Sequence, residues 1–204
     1  VVFLLTTDSM IKPALIATSV LLAATPAFAI DQTVRPVDPS NFDVAGVRLG
    51  MSVSEAAAAA TAKLGVGANA VQYDAKPSMN PVVKAKVPAY FTIQSGQSKL
   101  TVSLLPREPV DAAKTLVVSE VKYVMEPSPQ AEEAMAKSAL AKYGKPSVTR
   151  GVTASWCAKP SVTTRCMGDR GPQLHVFGVT VQLMDESLSK VRIVARGDAP
   201  KPAF

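Results

Sequence analysis

The chain has 204 residues, 48% hydrophobic, 5% aromatic and 19% charged, with 22 Lys plus Arg, 16 Asp plus Glu, one His and two Cys. This is the composition of one globular domain or two small ones, not of a disordered, collagen-like or many-span membrane chain. One His and two Cys are too few for histidine triads, His-rich metal sites or four-cysteine zinc sites.

From Met10 the chain reads as an address label. Lys12 precedes an apolar stretch from Ala14 to Ala24, followed by Pro26 and then Ala27-Phe28-Ala29. A basic start, a core too short to span a bilayer and small residues at the cutting position define a secretory signal peptide. Cleavage is expected after Ala29, with residues 1–9 an upstream extension. Thr6, Thr7, Asp8, Ser9 and Lys12 interrupt any longer apolar span. No Cys stands at the cleavage site, so a lipidated N-terminus is not expected, nor is a transmembrane segment after signal removal.

Residues 30–41 hold Pro36 and Pro39 among scattered charges and are expected as a flexible, extended linker. A first unit spans 42–126. Ser52 and Glu55 form a Ser-x-x-Glu capping box. Val53, Ala56, Ala57, Ala60 and Leu64 then share one helical face, and Gly65 stops the helix. A short strand is expected around Ala70 to Tyr73, then an irregular connection rich in Pro and Lys up to Pro88. Tyr90 to Ser95 and Lys99 to Leu105 read as a hairpin, because Leu100, Val102 and Leu104 alternate with polar residues. Leu116 to Met125 is a further strand.

The second unit spans 127–196. Ser128-Pro129 opens its helix, Glu132 and Glu133 suit the positive end, Lys142 suits the negative end, and Gly144 with Pro146 closes it. Three strands are expected after it: Val148 to Trp156, Leu174 to Met184 and Leu188 to Ala195, the last two joined at Asp185-Glu186-Ser187. Residues 197–204 read as a loose tail. In an oxidising compartment Cys157 and Cys166 form one disulfide. Closing so short a loop stabilises the fold by roughly 2.5 to 3 kcal/mol through loop-closure entropy. The spacing is not Cys-x-x-Cys, which argues against a redox pair.

Lys63-Leu64-Gly65 and Lys142-Tyr143-Gly144 end the two helices, and the element order repeats after them. The expected class is therefore α+β: two tandem units of one helix plus antiparallel strands, with the helices on one face of the sheet.

Gly46-Val47-Arg48-Leu49-Gly50-Met51-Ser52 ahead of an Ala-rich helix resembles the helix start of the BamE/SmpA outer-membrane assembly lipoproteins. Lys142-Tyr143-Gly144-Lys145-Pro146, ahead of a strand ending in Trp156, looks like the same unit repeated. Tandem units of this kind also resemble the β-lactamase inhibitor protein. The first resemblance implies an exported bacterial protein that binds within the envelope. The chain departs from the lipoprotein pattern by lacking the lipidated Cys. The second implies two helix-plus-sheet halves, and no inhibitory contact residue carries over.

Among candidate sites, His175 begins a strand whose same-face partners are Phe177, Val179, Val181 and Leu183, the pattern of a histidine at a core edge. Cys157, Cys166 and His175 do not have zinc-site spacing, and a metal would need reduced thiols. No metal or other cofactor is expected. The Ser-x-x-Lys matches Ser119 to Lys122 and Ser187 to Lys190 fall on strand or turn, outside the context of a serine enzyme. No nucleophile elbow, phosphate loop, zinc helix or dinucleotide fingerprint occurs.

Charge is the better guide. Residues 30–141 carry 11 basic and 11 acidic side chains, whereas residues 142–204 carry 10 basic and 4 acidic. Lys159, Arg165 and Arg170, against Asp169 and beside Trp156, cluster at the disulfide loop. A solvated hairpin tip would account for them. The functional reading is contact with an anionic partner: an acidic envelope protein, a glycolipid or a phospholipid headgroup. Nucleic acid is disfavoured by export and by sparse aromatics. The expectation is a non-enzymatic periplasmic or secreted binding module. The alternatives are a secreted hydrolase inhibitor and an envelope enzyme whose paired carboxylates come from distant strands.

Overall fold

A computed structural model describes residues 34–107, 115–161 and 163–188. The signal segment, the first residues of the expected linker, the strand over 188–195 from residue 189 onward and the tail over 197–204 lie outside the described residues.

The hairpin β1 (Asp43–Val44) and β2 (Val47–Arg48) precedes α1 (Val53–Leu64). The helix starts as its capping box dictates. The Glu55 N–H donates to Ser52 Oγ at 3.3 Å, and the Ser52 N–H donates to Glu55 Oε2 at 2.8 Å. Strands β3 (Val71–Tyr73), β4 (Ser78–Asn80), β5 (Ala85–Val87), β6 (Tyr90–Ser95), β7 (Ser98–Pro106) and β8 (Leu116–Met125) follow. Helix α2 (Pro129–Tyr143) opens with Ser128 Oγ accepting from the Ala131 N–H at 3.0 Å. The chain then forms β9 (Val148–Arg150), β10 (Thr153–Cys157), β11 (Pro172–Phe177) and β12 (Thr180–Asp185).

The architecture corrects the expected α+β class of two tandem helix-plus-strand units. The protein is mostly β. One eight-stranded antiparallel sheet runs in the order β3-β6-β7-β8-β12-β11-β10-β9, beside two small two-stranded sheets and only two helices among the described residues. The finding that overturns tandem units is the β8–β12 pairing, in which Val121 lies opposite Leu183 and Tyr123 opposite Val181. Through it the strands on either side of α2 share one hydrogen-bonded ladder. Phe91, Val102, Val121, Leu183, Leu174 and Trp156 form a single cross-strand row, and each has 0% exposure. A row that continuous is one core, not two.

Both helices bury residues in that core, the small Ala56 and Ala60 from α1 and Met135 with Ala139 from α2. The opposite sheet face is the polar half of each strand's alternation. Thr92, Thr101, Lys122, Gln182, His175 and Ser155 lie side by side across it.

Four local expectations also change. The single strand expected over 148–156 is the β9–β10 hairpin, and the one over 174–184 is the β11–β12 hairpin. Gly151 and Gly178 open these two-residue turns at φ 55° and 52°, as the first central position of a type II′ turn requires. The irregular 73–88 region contains the β4–β5 hairpin, where Asn80 Oδ1 accepts from the Val82 and Val83 N–H groups. The described part of the expected linker is docked, not free. The Arg35 N–H donates to Ser147 O at 3.1 Å, the Val37 N–H donates to Cys157 O at 2.9 Å, and Pro39 is fully buried.

Candidate contact surface

The disulfide loop leaves β10 at Cys157 and re-enters the sheet at β11. Cys157 and Cys166 are bonded, with Cα atoms 5.8 Å apart, and both are buried. The loop has a second anchor in the buried Asp169. Its carboxylate accepts from the Lys159 N–H at 2.9 Å and the Gly171 N–H at 3.1 Å, and its carbonyl accepts from Gln173 Nε2. Ser161 and Arg165 exchange backbone hydrogen bonds at 2.7 and 2.8 Å within the closed loop. Covalent closure and a buried carboxylate thus hold the loop from both ends.

On this frame Lys159 and Arg170 are exposed and Arg165 is half-buried. Met167, between Arg165 and Arg170 in sequence, is 81% exposed, the most exposed of the large apolar residues among those described. Nothing in its sequence context singles it out. The docked N-terminal segment adds Arg35, whose guanidinium donates to Lys145 O at 2.7 Å. Val37 of the same segment meets the base of the loop, its N–H donating to Cys157 O at 2.9 Å, a placement visible only in three dimensions.

Trp156 does not belong to this surface. Along β10, Thr153, Ser155 and Cys157 point to the polar sheet face, so Ala154 and Trp156 point to the core. The indole is fully buried, donates to Gly144 O at 3.2 Å and meets the Tyr143 ring at a centroid distance of 5.9 Å. Its proximity to the cations in sequence reverses in space because successive strand residues face opposite ways.

His175 lies on the polar face beside the loop. Ser155 Oγ is 2.9 Å from its Nδ1, and its Nε2 is 3.0 Å from Gln173 Oε1. Because Gln173 Oε1 can only accept, Nε2 carries the proton and Nδ1 accepts from the Ser155 hydroxyl. A directional chain results, from Ser155 through His175 and Gln173 to the Asp169 carbonyl. Burial holds the imidazole below its ordinary pKa, against the opposing charge of Glu186. A serine beside a neutral histidine invites comparison with a nucleophile and base, yet Ser155 is only 4% exposed and cannot be reached by an acyl group. The chain of hydrogen bonds fixes the loop to the sheet. Cys157 and Cys166 are bonded to each other and His175 is fully engaged, so these three do not form a metal set. Among the described residues no cluster of three or more metal-ligating side chains occurs.

Ser119 and Lys122 lie on β8, with the Ser119 hydroxyl donating to Ser103 O at 3.2 Å. Glu132 and Glu133 sit in the first turns of α2. Among the described residues, no helix is long and apolar enough to cross a membrane. Compared with known proteins, the chain matches no family model, no curated protein and no solved structure. The resemblance to assembly lipoproteins and to the inhibitor protein rests on its short motifs alone.

Proposed function

We propose that this is an exported, non-enzymatic binding module of the periplasm or extracellular space, which docks an anionic partner through the disulfide loop. The observation that carries the reading is that one loop, pinned by Cys157–Cys166 and Asp169, bears Lys159, Arg165 and Arg170 together with an exposed Met167. Preorganised cations lose little side-chain and loop entropy on binding. A projecting thioether adds apolar contact that pure electrostatics lacks. The disulfide fits an oxidising compartment.

Each cation near an anionic membrane is worth about 1 kcal/mol. Replacing all three by Gln is expected to weaken salt-sensitive binding to vesicles containing phosphatidylglycerol or lipopolysaccharide, or to an acidic envelope protein, by about 100-fold. Unchanged binding by the triple variant, with the fold intact, would refute the loop as the contact.

The second reading is a hydrolase inhibitor. It is favoured by the polar row from Thr92 through Thr101, Lys122 and Gln182 to His175, which crosses five strands of the sheet. Purified protein that leaves a panel of envelope hydrolases and β-lactamases unaffected removes it.

A further inference from the structure

The two helices do not close over the sheet they share. Between them lies a cavity of about 250 Å³, floored by the cross-strand pair Tyr123 and Val181. Leu64 of α1, Met135 and Ala139 of α2, and Val44 of β1 also line it. Its opening is polar. Lys63, Lys142 and Ser138 stand there.

The rim is built, not incidental. Asp43 Oδ1 accepts from Lys142 Nζ at 2.7 Å and from the Gly46 N–H at 2.9 Å, and Asp43 O accepts from the Tyr143 hydroxyl at 2.7 Å. One carboxylate thus fixes the ammonium of Lys142. Lys63, exposed on the last turn of α1, has no ion pair among the described residues, although Asp43 lies within its electrostatic reach. Two ammonium groups against one carboxylate leave the mouth with one positive charge above an apolar interior. A neutral hydrocarbon would waste that charge, and a polar anion would waste the interior.

We infer that this interhelical groove binds a single-chain carboxylic acid, its head at Lys63 and its alkyl chain between α1 and α2 over Tyr123 and Val181. The volume suits a chain of roughly eight carbons, taking the space of one liquid water for each. This site is separate from the disulfide loop, and neither depends on the other.

The test is titration of the purified protein with hexanoate, octanoate and decanoate below their micelle concentrations, by calorimetry and by NMR shifts. Affinity should rise about fourfold for each methylene and level off near the length the cavity holds. Shifts should concentrate at Leu64, Tyr123, Met135 and Val181. Lys63→Gln should weaken octanoate about tenfold and leave octanol unchanged, while Ser138→Trp should block both at the mouth. The wild-type chain-length series stands even if a variant misfolds. Absence of binding overturns the inference, whether the groove stays empty or is covered by another part of the chain. So does affinity that ignores chain length, or a Lys63→Gln variant indistinguishable from wild type. Shifts of the same residues produced by phosphatidylglycerol vesicles, without response to the free acids, would assign the groove to bilayer lipid instead.

Discussion

Trp156 stands on β10 with its ring fully buried in the core. A tryptophan beside Cys157 and three cations has the composition of a recognition site, but period-two alternation sends its ring into the core, where it touches Tyr143. The alternating signal was present in Thr153 to Cys157, although Ala154 and the apolar Cys157 blur it. As the sole tryptophan, it reports its own burial. Iodide should barely quench native fluorescence and should quench it strongly in urea; Trp156→Ala should lower unfolding free energy by about 3 to 5 kcal/mol. His175 carries a pH signature. Its folded pKa lies below the ordinary value of 6.5, so above that value both folded and unfolded states are neutral and its full contribution is present. As pH falls below 6.5 the unfolded chain takes up the proton first, and stability declines until the folded pKa is passed. Urea midpoints measured from pH 7.5 to 5 should show this decline, and His175→Gln should flatten it. At lower pH Asp43 adds a second loss. Burial works to raise its carboxyl, yet the Lys142 and Gly46 hydrogen bonds and the Lys142 and Lys63 charges hold it below 3.8. Its protonation therefore removes stability only as pH falls below that value.

Elements with strong punctuation were legible. Ser52 with Glu55, Ser128 with Pro129, Gly65 and Gly144 mark both helices, and Ser95-Gly96-Gln97-Ser98 marks the β6–β7 turn. The same signal was weaker at Gly178, where Val176-Phe177 and Val179 put apolar residues on both sides of the turn, and at Gly151, where the β-formers Val148-Thr149 and Val152-Thr153 lie on either side of it. A lone glycine between β-forming residues reads as the interior of one long strand where it opens a hairpin. Gly178 at φ 52° leaves room for a methyl group, the nearest atom to an added Cβ being 3.7 Å away. Backbone strain alone should then decide the cost of Gly178→Ala, roughly 1 to 2 kcal/mol. Chemical denaturation measures it, and a change of zero would mean the turn is not held at positive φ.

At the scale of the molecule, the charge asymmetry was readable by counting, whereas the continuous sheet was not. Strand alternation says which face is buried but not which strand becomes the neighbour, and the β8–β12 contact joins residues about sixty positions apart. A single core crossing that junction predicts one cooperative transition. Trp156 fluorescence and far-ultraviolet circular dichroism should give coincident urea curves, and Val121→Asp should unfold both sides together. Two separable transitions would restore independent halves. The docking claim is tested most directly in living cells, with a photo-crosslinking residue at Met167 and a control at Lys137 on the exposed side of α2. A defined adduct should form from position 167 and disappear when Lys159, Arg165 and Arg170 are neutralised. Efficient crosslinking from position 137 with none from 167 would contradict it.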